Sequence, residues 1–182
     1  MAFDGGQVIH TRTHRWSKRG QEACARLAHV LSLFLRQGDV VGLYGVLGVG
    51  KTYFVRSMLL RLAAHYGVVL DAVPSPSYAL MQCYDMGMLS LWHVDLYRVE
   101  SVRALEALGL EECRQGGICL IEWFEHGKEL FAGEERLEIT LSFADGDCDR
   151  HIVMTAFGDD WVGRLGAIEE KMREDDGSKG VC

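Results

Sequence analysis

The sequence contains no asparagine. The guanine-selective N-K-x-D signature is therefore impossible, which sets regulatory GTPases aside. Proline is almost as scarce. Pro74 and Pro76 are the only two, and both fall in one loop, Pro74-Ser75-Pro76-Ser77, where fixed φ and missing N–H groups stiffen the chain. No uninterrupted apolar run approaches ~18 residues, so no membrane span is expected. The six cysteines are scattered, with no C-x-x-C pair and no histidines at zinc spacing, which argues against a structural metal site. The start, MAFDGGQVIH, carries an acid and lacks an apolar run of secretory length, so a reducing cytoplasm is the expected compartment. Basic residues are outnumbered 19 to 26, and the net charge of -7 argues against gripping nucleic acid by bulk electrostatics.

What is present describes one domain of 182 residues, 48% hydrophobic and able to build a core. Leu27, Val30, Leu31, Phe34 and Leu35 recur at helical spacing and predict an amphipathic helix over 20–36. Val40–Tyr44 reads as a short buried strand, followed by a glycine-rich turn and a helix from Lys51 to about His65. Val68–Val73 is a further strand candidate. Tyr78–Tyr84 and Met88–Val94 flank a turn at Asp85-Met86-Gly87, the pattern of a hairpin. Ser101–Leu108 reads as helix and Ile118–Trp123 as a compact apolar strand. Arg136–Phe143 and His151–Phe157 form a second hairpin about Ala144-Asp145-Gly146-Asp147, and Asp159–Arg173 reads as helix. The expectation is an α/β, P-loop NTPase-like three-layer sandwich, its sheet mixed because hairpins accompany the parallel strands. Residues 1–19 read as a flexible basic arm, 20–173 as the single domain and 174–182 as a loose tail.

The strongest chemical signal is Gly45-Val46-Leu47-Gly48-Val49-Gly50-Lys51-Thr52, a complete G-x-x-x-x-G-K-T phosphate loop. Glycines let successive N–H groups turn into one anion-sized nest, and the helix that follows adds its positive end. Lys51 can then reach β- and γ-phosphates, while the Thr52 hydroxyl can hold Mg²⁺. Composition predicts roughly one accidental match in 200 such sequences, before the strand–loop–helix context is required. Such a loop needs a second acid at the end of an apolar strand. Leu91-Trp92-His93-Val94-Asp95 and Ile118-Cys119-Leu120-Ile121-Glu122 both qualify, Glu122 on the cleaner buried strand; a plain strand-end cap is the alternative for either. With guanine excluded, adenine is favoured.

An ordered set of motifs resembles the bacterial TsaE (YjeE-like) family, ATPases of tRNA threonylcarbamoyladenosine biosynthesis. It runs through Gly38-Asp39-Val40-Val41, Leu47–Thr52, Ser75-Pro76-Ser77-Tyr78, His93-Val94-Asp95-Leu96-Tyr97-Arg98, Leu105-Glu106-Ala107-Leu108-Gly109-Leu110 and Ile118-Cys119-Leu120-Ile121-Glu122-Trp123. The resemblance covers roughly residues 38–143. It implies ATP on the loop residues Val46, Leu47, Gly48, Val49, Gly50, Lys51 and Thr52, with Ser77 and Trp123 beside the nucleotide. It also implies Mg²⁺ near Thr52 and Glu122, an activity-critical acid at Asp95, and a mobile switch at Ser75–Ser77. Lys51, Asp95 and Glu122 are the catalytic candidates. The sequence departs from the family at Val46, where Asp is usual, at Ser77 for Thr, at Phe124 for Pro, and at Gly20 for a threonine near the nucleotide.

The resemblance further implies slow ATP hydrolysis in support of a complex of the TsaD and TsaB proteins, which modifies adenosine 37 of tRNAs reading codons that begin with A. tRNA contact is expected through those partners. The basic run Arg12–Arg19 reads first as a solvated terminus and only second as a tRNA contact. Arg98 and Arg103 could face a partner or the γ-phosphate, with surface ion pairing as the alternative. Two other functions stay open: a small-molecule kinase, for which no compact arginine cluster serves as a lid, and a non-catalytic nucleotide-sensing scaffold.

Overall fold

The computed structural model describes residues 9–18, 20–144 and 149–177. Among the described residues seven strands form one mixed sheet: β1 (Thr11–Lys18), β2 (Val40–Tyr44), β3 (Met81–Asp85), β4 (Ser90–Asp95), β5 (Gly117–Glu122), β6 (Arg136–Phe143) and β7 (Arg150–Phe157), in the order β1-β7-β6-β2-β5-β4-β3. β2 is parallel to both of its neighbours, β5 and β6, and β4 is parallel to β5. The β3–β4 and β6–β7 pairs are antiparallel, as the hairpin patterns predict. Three helices, α1 (Gly20–Ser32), α2 (Lys51–His65) and α5 (Asp159–Gly177), supply the core on one face, where Leu31, Phe54, Met58, Trp161 and Leu165 meet the inward side chains of the sheet. On the other face α3 (Val102–Glu106), α4 (Leu110–Gly116) and two short 3₁₀ turns build a smaller core over β2, β4 and β5, centred on Ile121, Phe124 and Phe131. These are the three layers expected for the fold. No helix of the described residues is long and apolar enough to cross a membrane.

The interior strand β5 is buried along its whole length, which is why its sequence is a continuous apolar run rather than an alternation. Two glycines set how closely the elements approach. A Cβ on Gly117 would stand 1.9 Å from the Ser90 carbonyl oxygen, and one on Gly42 would stand 2.3 Å from the Phe124 ring.

Three expectations require correction. The basic run is not a flexible arm, since Thr11–Lys18 forms edge strand β1, paired antiparallel with β7. Its alternation buries Trp16 and Lys18, and Arg12 forms a fork with the buried Glu169 of α5 at 3.1 and 2.8 Å. Of these bases Lys18 is buried, while Arg12 keeps part of its side chain in solvent and is tied to α5 by the fork. Val68–Val73 is not a strand; Val68 and Leu70 pack on the core as an irregular connection, and the Val73 carbonyl accepts from Arg56 at 2.8 Å. The last helix continues to Gly177, past the predicted end at Arg173, and α4 occupies a segment for which no element is predicted. Arg19, Cys148, Cys182 and the predicted turn at Asp145–Asp147 lie outside the described residues.

Candidate functional site

The carboxyl ends of β2, β5 and β4 lie side by side at one edge of the sheet. That edge is where open α/β sheets gather ligand-binding groups. β2 opens into the glycine loop, β5 ends in Glu122 and β4 ends in Asp95, with Asp95 and Glu122 directly opposite in the parallel register. Between them lies a cleft of about 310 Å³, lined by Leu47, Gly48, Gly50, Lys51, Thr52, Ser75, Ser77, Asp95, Tyr97, Glu122 and Trp123. Most of the site residues predicted from the sequence thus share one cavity. Val46 and Val49 do not line it. Val46 is exposed at the loop apex, and Val49 is buried beneath the loop.

The loop bends because Gly45, Gly48 and Gly50 take φ of 137, 78 and 109°, conformations that only glycine adopts without strain. Gly50 begins α2, so the first free N–H groups of that helix face the cleft's rim. Lys51 is buried, and its Nζ donates to the carbonyls of Gly45 and Val46, the latter at 3.2 Å, while sitting 3.6 Å from the Trp123 ring centroid. Because Val46 contributes its carbonyl, the absence of a carboxylate side chain there leaves this lysine contact intact. Burial pushes the Lys51 ammonium below the usual lysine range, against the carboxylates of Glu122, Glu125 and Asp95, which pull it up. An incoming anion would act in the same sense as those carboxylates.

The Thr52 hydroxyl donates to Glu122 Oε2 at 2.7 Å. Both are hard oxygen donors lining the cleft, a set that suits Mg²⁺, which takes one or two protein ligands and completes its shell with phosphate and water. Asp95 anchors the proline-stiffened loop: its Oδ2 accepts from Ser77 at 2.6 Å and Ser75 at 3.2 Å, and its Oδ1 from the Tyr97 N–H at 3.0 Å. Trp123 holds φ of +57°, an unusual state for a bulky residue, with Tyr97 packed at 4.7 Å. Arg98 lies over the exposed Tyr78 ring at 4.3 Å rather than among the cleft residues.

His93 carried no assigned role in the sequence, though it stands in the quoted His93–Arg98 motif. It is fully buried, with Nε2 2.8 Å from Glu122 Oε1. Its one visible signal is a histidine in the middle of an apolar strand. Arg150 was also missed; its Nε donates to the Val49 carbonyl at 2.8 Å and braces the loop from β7. No local pattern marks a contact between residues 101 positions apart.

Comparison with known proteins bears on what this site serves. A sequence model of the family described as "Threonylcarbamoyl adenosine biosynthesis protein TsaE" matches residues 18–152. The TsaE protein of Bacillus subtilis, named for tRNA threonylcarbamoyladenosine biosynthesis, is 37% identical over 145 residues, covering 79% of this chain and 86% of its own. Its namesake from Treponema pallidum is 37% identical over 137 residues, 73% of this chain and 95% of its own. The crystal structure of Bacillus subtilis YdiB superposes with a TM-score of 0.68 at 30% identity, covering 92% of this chain and 98% of that one.

Proposed function

Because the chain belongs to the TsaE family of tRNA threonylcarbamoyladenosine biosynthesis, we propose that it binds ATP with Mg²⁺ in the β2–β5–β4 cleft and hydrolyses it slowly in the cytoplasm, in support of the TsaD and TsaB proteins that modify adenosine 37. The observation that carries this reading is the Thr52–Glu122 contact at 2.7 Å beside a glycine nest and a buried lysine. This combination of groups suits a triphosphate and its cation.

The chain's own residues supply the chemistry as follows. Backbone N–H groups of the glycine loop and the start of α2 receive the phosphate oxygens. Lys51 leaves the Gly45 and Val46 carbonyls and turns to the β- and γ-phosphates, where its charge opposes that developing on the transferred group. Thr52 shares its hydroxyl between Glu122 and the cation, and Glu122 orients the attacking water. A bound Mg²⁺ supplies Lewis-acid polarisation of the phosphoryl oxygens. Water adds to the γ-phosphorus as its bond to the β,γ-bridging oxygen breaks, giving ADP and phosphate.

Asp95 couples that event to the surface. A γ-phosphate offers Ser77 an acceptor in competition with Asp95, so nucleotide state shifts how the Pro74–Ser77 segment is held. A cycle of that segment is what a partner complex would sense, with tRNA held by the partners. The test is ATP binding and phosphate release by the purified chain, alone and with TsaD, TsaB and tRNA, beside Lys51→Ala. Loss of turnover in the variant is expected; normal hydrolysis by Lys51→Ala would refute the reading.

A further inference from the structure

His93 is the one polar side chain of β4 set among apolar neighbours beneath the cleft. On the same face of the sheet lie Leu91, Ile118 and Leu120, all of the larger core, and His93 stands opposite Leu120 in the parallel register. The imidazole is wholly buried. Among the described residues its Nε2 has one partner, Glu122 Oε1 at 2.8 Å, and its Nδ1 has none. A carboxylate oxygen accepts, so Nε2 is the donor of this contact. A buried histidine placed this way is costly for packing alone, because a leucine of similar volume would fill the layer without an orphaned nitrogen. Its position is explained by what it does to the carboxylate.

Glu122 is fixed at both oxygens, Oε1 by His93 and Oε2 by Thr52. These two contacts differ in kind. The Thr52 hydroxyl is itself a candidate ligand, so its bond to Oε2 must readjust whenever a cation enters. The His93 bond lies on the buried side of the carboxylate, beside the core residues Leu91 and Leu120, and can persist throughout. We propose that His93 is the positioning residue for Glu122, holding Oε1 so that Oε2 stays aimed at the cation and water side of the cleft. This rests on the ATP·Mg²⁺ reading above. Outer hydrogen-bond partners of metal-ligating groups act in this manner, and their loss costs about 10- to 100-fold in metal affinity or activity.

The experiment compares the parent with His93→Leu, which keeps the volume and removes the donor, and with His93→Gln, whose amide reaches about as far as Nε2. ATP affinity is measured by calorimetry in chelator and in saturating Mg²⁺, and turnover is followed against Mg²⁺ concentration. For His93→Leu the expected result is about a tenfold or greater loss in Mg²⁺-linked affinity and turnover, with the chelator affinity unchanged and His93→Gln restoring the parent behaviour. A folded His93→Leu that matches the parent overturns the proposal. So does equal weakening with and without Mg²⁺ that His93→Gln fails to rescue, because that is a packing effect. If His93→Leu does not fold, His93→Gln against the shorter His93→Asn decides: the proposal requires only the longer amide to keep Mg²⁺ dependence. A parent chain that binds no ATP overturns the proposed function and this proposal together, whereas a binding parent with an unaffected variant overturns this one alone.

Discussion

Replacing Arg164 by methionine breaks a buried fork at the end of the sheet far from the cleft. Arg164 donates to both Asp39 oxygens, at 2.6 and 2.7 Å, across 125 residues, and the two side chains are only 6% and 8% exposed. Asp39 begins the turn into β2, whose five residues put it about 17 Å from the glycine loop at ~3.3 Å per residue. Removing one partner of such a pair leaves an uncompensated buried charge, worth about 3–5 kcal/mol. For a chain of this size each kcal/mol moves the melting point by about 2–4 °C, so Tm should fall by about 6–20 °C. Burial already pushes the Asp39 carboxyl above the ordinary range, against the pull of Arg164. Without Arg164 it rises further. The folded state then keeps its proton to higher pH than the unfolded chain, so stability falls as pH rises from the ordinary carboxylate pKa through the raised one. The deficit of Arg164→Met should therefore be smaller near pH 5 than near pH 8. Thermal melts by circular dichroism at both pH values, with ATP affinity measured well below Tm, give the answer. A shift under about 2 °C would refute the reasoning, as would lost ATP affinity in a variant that melts like the parent.

Other expectations are more local. Gly42→Ala drives a methyl into the Phe124 ring and Gly117→Ala drives one into the Ser90 carbonyl; overpacking costs about 1–3 kcal/mol, and Gly117→Ala should be the worse because backbone cannot rotate aside. Denaturant midpoints that rank them in the opposite order contradict this. Asp95→Ala removes the acceptor of Ser75 and Ser77, so hydrogen exchange over residues 74–80 should quicken while β5 stays protected. Among the described cysteines, exposed Cys83 should alkylate readily in the native protein, whereas burial pushes the Cys119 thiol up to about 12 and keeps it inert until unfolding. Peptide mapping that finds Cys119 labelled as fast as Cys83 would count against the packing of β5.

Much of the site was legible because its parts are local. The glycine loop states its own bend, since only glycine tolerates the three positive φ values, and Lys51 and Thr52 follow at fixed offsets on the first turn of a helix. Asp95 and Glu122 were legible as the last residues of apolar runs. The misreadings came where a segment's meaning depends on distant partners. Arg12 resembles solvated charge until Glu169 of α5 is beside it, and Val68–Val73 has strand propensity but forms no strand, its Val73 carbonyl taken by Arg56 instead.

The sequence by itself determined the α/β class, the glycine loop and both strand-end acids, because backbone conformation and hydrophobic period are encoded over a few residues, and its ordered motifs carried the resemblance to the family. Only the tertiary structure decided which of these groups touch. Strand order brings β4 and β5 side by side, so that His93, Glu122 and Thr52 form one hydrogen-bonded chain across three elements. The same order leaves Asp39, in a motif as prominent as the others, at the opposite end of β2. It is paired with Arg164 there and has no part in the cleft. A motif says which residue types recur; the parallel register and the burial of each carboxylate decide whether a residue holds a ligand or holds the fold.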